Sequence, residues 1–220
     1  MKKYSIFFIV SFILSSCWGG WNKEGSVDLT YGSTRVVTAS WYGPKFHGRR
    51  TASGETFNMH NLTCAHKTLP FGTKLQVTNL TNERSVRVIV NDRGPFVRGR
   101  ELDLSYGAAK RIGLFKNGIG RVKITHLGRD MTYKKDIKIA HSLSGPYTIQ
   151  IGSFNDLSNA RQLLTALEYT YSGAYLMPFN LRGEKFYRVR LGKYKDKKEA
   201  INRAKKLAYE GYPVFITPIQ

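Results

Sequence analysis

The chain has 220 residues, of which 41% are apolar, so it can bury one or two cores and is not a disordered polymer. Its 35 Lys and Arg against 15 Asp and Glu give a formal charge of +20, a balance that suits anionic lipid headgroups or cell-wall polymers. With only 2 cysteines there is no disulfide framework, and the 5 histidines lack ligand-like spacing, so no metal site and no cofactor are expected.

Lys2 and Lys3 precede an apolar run from Ile6 to Leu14. That run is too short to cross a membrane and reads as the core of an export signal. It ends in Leu14-Ser15-Ser16-Cys17, which resembles a bacterial lipobox. Residues 1–17 are therefore expected to be a lipoprotein signal peptide, with Cys17 lipidated and the membrane a partner through that lipid. An exported chain does not meet nucleic acid, so none is expected. Cys64 is left alone and reads as a small buried apolar residue. Residues 18–34, with Gly19, Gly20, Gly25 and Gly32, read as a tether.

Residues 35–127 are dense in short strand signals: Arg35–Tyr42, Thr63–Ala65, Lys74–Asn79, Ser85–Val90 and Gly120–His126. One short helix is expected between Ser105, as N-cap, and Gly113. Many strands with one short helix predict a small barrel. Residues 128–146 are polar, weakly periodic and read as a linker.

Residues 147–220 hold an internal repeat. YTIQIGSFND starts at Tyr147 and YRVRLGKYKD at Tyr187. Each copy runs into a helix pattern, the second starting at Asp196 with Glu199 in a capping-box position, and then into another strand. Two β-α-β halves predict a ferredoxin-like βαββαβ domain with helices on one face and the other free to bind. The fold class is thus mainly β followed by α+β.

Chemistry concentrates in two stretches. Residues 39–79 carry Trp41, Tyr42, Glu55 and His66, and residues 90–96 read VNDRGPF, with Asp92 at a strand end beside Arg93. Aromatic rings in a groove stack on sugar faces, and carboxyls there serve glycosidic chemistry. Each residue also reads more plainly. Trp41 and Tyr42 suit a core, His66 suits a satisfied buried site, and Asp92 suits a turn.

The stretches ASWYGPKFHGRRTASGETF, AHKTLPFGTKLQVTN, VNDRGPF and RELDLSYGAAKRIG, in this order, resemble the double-psi β-barrel domain of the rare lipoprotein A family of septal-ring lytic transglycosylases. The tail, 147–220, resembles the SPOR domain, which binds peptidoglycan glycan strands stripped of stem peptides. The resemblance implies a barrel over 35–127, with Asp92, Glu55 and His66 lining a catalytic cleft and Asp103, Trp41, Tyr42 and Arg93 near substrate. Asn58 stands where the family often has Asp.

The implied reaction cuts the β-1,4 bond between N-acetylmuramic acid and N-acetylglucosamine and leaves a 1,6-anhydro end. Asp92 is expected to be the acid that becomes the base, its proton held by burial or by Glu55, with Glu55 as acid the variant. The Arg93 guanidinium is expected to face away from Asp92, and His66 to hydrogen-bond a carboxylate or a substrate oxygen. On the SPOR sheet, Gln150, Ser153, Tyr187, Arg188 and Arg190 are expected to meet glycan. The implied setting is the periplasmic face of the outer membrane, since Trp18 rather than Asp follows Cys17, at the division septum with septal-ring proteins as further partners. Two rival readings stand beside this one. The first is a non-catalytic, expansin-like binding module. The second is a hydrolase that uses Asp92 and Asp103 with water.

Overall fold

The computed structural model describes residues 30–140 and 145–219. The signal segment, Cys17 and most of the expected tether lie outside the described residues.

Six strands close into a barrel: β1 (Thr34–Trp41), β2 (Thr63–His66), β3 (Thr73–Asn79), β4 (Ser85–Asp92), β5 (Leu102–Leu104) and β6 (Ile119–Arg129). The order is β1-β5-β2-β4-β3-β6, and β6 returns to β1. β1 pairs with β5, and β2 with β4, in parallel; the other pairings are antiparallel. Closure leaves no unpaired edge. Alternation sends Val86, Val88 and Val90 of β4 inward, against Leu75, Val77 and Val122. The short strand β5, unannounced in the sequence pattern, is buried at all three positions. The helix α1 (Tyr106–Arg111) is capped by Ser105, whose hydroxyl accepts from the Ala108 N–H. Gly107 is required there, because a Cβ would lie 2.3 Å from the His60 carbonyl oxygen.

The expected linker is partly ordered structure. β6 runs to Arg129, Asp130 caps a 3-10 turn at Met131–Tyr133, and β7 (Ile137–Ile139) pairs in parallel with the last strand. Three residues are too few to show periodicity; the neighbouring strand supplies the hydrogen bonds that make this segment a strand.

The repeat forms β8 (Tyr147–Phe154), α2 (Leu157–Thr170), β9 (Ala174–Leu181), β10 (Glu184–Tyr194), α3 (Lys197–Glu210) and β11 (Val214–Pro218). The sheet order is β7-β11-β8-β10-β9. Asp156 and Asp196 cap the two helices, and Gly211, at φ +100°, ends the second. Ile149, Ile151, Val189 and Leu191 face Ala160, Leu167, Ala204 and Leu207 of the helices, all nearly or fully buried.

The two domains meet closely. The Phe71 N–H donates to Glu210 O at 2.9 Å, and the Tyr212 ring stands edge-on to Phe71 at 4.9 Å. Arg129 donates to Phe71 O and Tyr209 O. The buried apolar cluster runs continuously from the barrel into the second domain.

Candidate active site

β2 and β4 pair Cys64 with Val90 and Ala65 with Asp92, so the register skips Asn91. Such a bulge re-aims the side chains beside it. Ala65 also pairs with Asp103, and Asp103 with Ser40. Ser40, Asp103, Ala65 and Asp92 therefore form one row across four strands. Tyr42 lies over that row, packed on Phe46 and Phe57.

Asp92 is 5% exposed. Its Oδ1 accepts from the backbone N–H of Ala52 and of Arg93, each at 2.8 Å, and its Oδ2 accepts from the Tyr42 hydroxyl at 3.2 Å. Burial pushes its pKa up to about 6, while these donors and the Arg93 charge pull the other way. The carboxyl thus holds a proton more readily than a free one, yet three donors stand ready for the anion.

Burial, rather than Glu55, holds the Asp92 proton. Glu55 lies on an exposed turn, where its Oε2 accepts from Asn91 Nδ2 at 2.7 Å and its carboxylate also takes the Tyr133 hydroxyl. Asn91 precedes Asp92 and points elsewhere, so Glu55 braces the bulge. Asp103 is tied to Ser40 Oγ and, at 3.5 Å, to Arg100; burial raises its pKa.

Arg93 and His66 follow Asp92 and Ala65, so alternation sends both to the opposite face. The Arg93 guanidinium is buried. Its Nε donates to the Tyr212 hydroxyl and its Nη1 to Leu69 O, each at 2.8 Å, and it lies 3.8 Å over the Phe71 ring. It faces away from Asp92, as expected from the sequence, and is buried. His66 Nδ1 accepts from the Thr68 and Leu69 N–H groups. Burial first, then the charges of Arg93, Arg35 and Lys67, lower its pKa to about 3, so it is neutral. Of the two partners expected for the imidazole, a carboxylate or a substrate oxygen, its Nδ1 meets neither and braces the turn over residues 67–69.

Trp41, one residue past Ser40, faces α1 and packs on Tyr106 at 5.6 Å. Tyr42 is buried and serves Asp92 rather than an open groove.

In the second domain, alternation puts Tyr187 with Val189 on the helix side and Arg188 with Arg190 on the other. Arg190 lies beside Gln150 and Tyr175 and is 1% exposed, with Nε and Nη1 unpartnered. Arg188, next to Ser153, sits 3.4 Å over the Phe179 ring. Sequence reading missed Asn91, although it stands inside VNDRGPF. It also missed Tyr133 and Tyr212, which lie in segments that carry no chemical motif.

Comparison with known proteins agrees with this geometry. A family model described as lytic transglycolase matches residues 34–124, and a SPOR domain model matches residues 143–218. The probable endolytic peptidoglycan transglycosylase RlpA of Synechocystis sp. is 63% identical over 86 residues, covering 39% of this chain and 27% of that protein. The endolytic peptidoglycan transglycosylase RlpA of Campylobacter jejuni is 42% identical over 159 residues, covering 65% of this chain and 58% of that protein. The chain therefore spans little more than half of such relatives at most. The chain thus matches the lytic transglycolase model at 34–124 and the SPOR domain model at 143–218, and over these stretches it is similar to RlpA proteins.

Proposed function

We propose that this chain is an endolytic peptidoglycan lytic transglycosylase. It cuts the β-1,4 bond between N-acetylmuramic acid and N-acetylglucosamine in glycan strands stripped of stem peptides, and leaves 1,6-anhydro ends. The observation that carries this reading is the buried Asp92, whose pKa of about 6 keeps part of the population protonated near neutrality.

In this mechanism Asp92 gives its proton to the glycosidic oxygen as the C1–O bond breaks. Positive charge develops at C1. The new carboxylate is met by the Ala52 and Arg93 N–H groups and the Tyr42 hydroxyl. Asp92 then takes the C6 hydroxyl proton, and that oxygen closes on C1. The nucleophile is part of the substrate, so its effective concentration is already high and no second carboxylate nucleophile is needed. Glu55, His66 and Arg93 hold the bulge and the adjoining turn in place. The SPOR sheet, through Gln150, Arg188 and Arg190, holds the strand.

The lipobox-like segment supports anchoring through lipidated Cys17 on the periplasmic side of the outer membrane. The SPOR domain supports enrichment at the septum, in cell-wall remodelling and daughter-cell separation, among septal-ring proteins. A hydrolase reading draws support from the Asp92–Ala65–Asp103 row. Its second carboxyl, however, is already held by Ser40 and Arg100.

The test is digestion of intact and of amidase-denuded peptidoglycan, with products weighed. Anhydro ends from denuded glycan are expected. Hydrated ends would transfer the chain to the hydrolases, and binding without release would make it a binding module.

A further inference from the structure

The space at Asp92 is closed by the second domain. On one side the crevice is lined by Arg50, Thr51 and Ala52 of the barrel, and on the other by Asn159, Gln162 and Ala166 of α2. Its volume is about 10 Å³, room for about one water. Small-molecule sites are roughly 300 Å³ or more, so no sugar ring fits while α2 stays in place.

The docking surface on α2 adjoins its own core face. Ala160 and Leu167 pack on the sheet behind them, and Leu163 reaches both that core and the Asp92 crevice. The outer stripe is Ser158, Gln162, Ala166 and Tyr169, spaced at four, four and three residues on one helical face. In a two-layer domain that stripe meets water, yet Ala166 is 1% exposed. A small residue there lets the helix approach the barrel. Tyr169 packs on Phe96 at 5.9 Å and lies under Lys67, and Ser158 meets Arg49 at 3.4 Å. These barrel partners come from the same loops that carry the site motifs.

The contact is built to release. Asn159 Oδ1 is buried there without a hydrogen-bond partner, so it gains one when the crevice floods. Beneath it a buried clamp holds Arg93 between the Phe71 ring and the Tyr212 ring and hydroxyl, beside the Phe71 N–H bond to Glu210 O and the Arg129 bond to Tyr209 O. The side of the SPOR sheet that carries Arg188 and Arg190 faces away from α2, and beside it a cavity of about 560 Å³, lined by Gln150 and Ser153 with barrel Ser53 and Gly54, leaves room for glycan while the barrel is shut.

We propose that the SPOR domain is a lid on the barrel: α2 closes the Asp92 cleft, latched by Tyr212 on Arg93, and glycan cleavage requires the lid to lift. This rests on the transglycosylase reading. It adds that the arrangement described is the resting, autoinhibited one and that glycan capture and glycan cleavage are separable steps.

The test uses the full chain with Cys17→Ser, carrying F96C and Y169C joined by a reducible thiol cross-linker, and separately A166R, which wedges α2 off the barrel. Cross-linked chain should release anhydro ends at least about tenfold more slowly than the same chain after reduction. Pelleting on denuded glycan should not change. A166R should cleave several-fold faster than wild type, by roughly the inverse of the fraction of time the lid is otherwise open. Backbone amides of 50–53 and 90–93 should exchange faster in A166R and in wild type given denuded glycan. Equal cleavage by cross-linked and reduced chain overturns the lid. If no form cleaves glycan, the transglycosylase reading fails. The lid is then judged by exchange alone: faster exchange upholds it, and unchanged exchange overturns it.

Discussion

Asp92 and Arg93 share a peptide bond but form no side-chain ion pair. The Asp92 carboxyl takes the Arg93 backbone N–H, while the guanidinium crosses to the other face of β4 and is held by Leu69 O and the Tyr212 hydroxyl. A free Arg beside a carboxyl would hold it ionised. Tethering the cation elsewhere lets burial win, and the carboxyl rises to about 6.

Asp92→Asn should therefore do two things. It should abolish anhydro-product release while pelleting on glycan persists. It should also stabilise the fold at neutral pH. The folded carboxyl binds its proton more tightly than the unfolded one at 3.8, so wild-type stability rises as pH falls from about 6 towards 4. At pH 7.5 the variant should be more stable by about 1–3 kcal/mol, and near pH 4 the two should coincide. Urea unfolding across that range checks this; parallel curves would refute it.

Tyr42→Phe removes a donor that favours the Asp92 anion. The Asp92 pKa should rise further, and the alkaline limb of the cleavage–pH profile should move up by a few tenths to about one unit. An unmoved limb would detach Tyr42 from the acid.

His66 is neutral in the fold, with a pKa near 3 against 6.5 when unfolded. Its contribution is complete above about 6.5 and is lost as pH falls towards 3, opposite in sign to Asp92. His66→Asn can still accept from Thr68 and Leu69 but does not titrate. The stability gap between wild type and variant should change by about 1.4 kcal/mol per pH unit below 6.5. Denaturant unfolding between pH 7 and 4.5 reads it directly.

Arg190 is buried with two unpartnered nitrogens, Nε and Nη1, beside Gln150. A charge left in that state costs stability, so Arg190→Met should be neutral or stabilising in unfolding. Binding should suffer: if those donors serve glycan hydroxyls or carboxylates, pelleting on denuded glycan should weaken about tenfold or more. Stability lost with binding retained would make Arg190 a structural residue.

Much was legible along the chain. Alternation marked five barrel strands within a few residues, because each carries a half-buried face of its own. The repeat and the capping Asp196 exposed the second domain, since caps and amphipathic faces are local signals. Asp92 was legible as a candidate reagent because turn and acid stand together in VNDRGPF. Short β5 and β7 were not, because three residues become a strand only when a neighbour pairs with them. Which face of the sheet Asp92 and Arg93 occupy depended on the bulge at Asn91, set by the register with β2, whose last residue is His66. The pKa values of Asp92 and His66 depended on burial, which belongs to the assembled barrel. The closing of Asp92 under α2 and the clamp of Arg93 by Tyr212 join residues far apart in the chain, the latter pair by 119 positions. Sequence determined the elements and the chemical inventory, since those rest on local periodicity and residue type. Tertiary structure alone decided which groups share a face, which are dry, and which domain covers the acid, since those are set by packing between segments far apart in the chain.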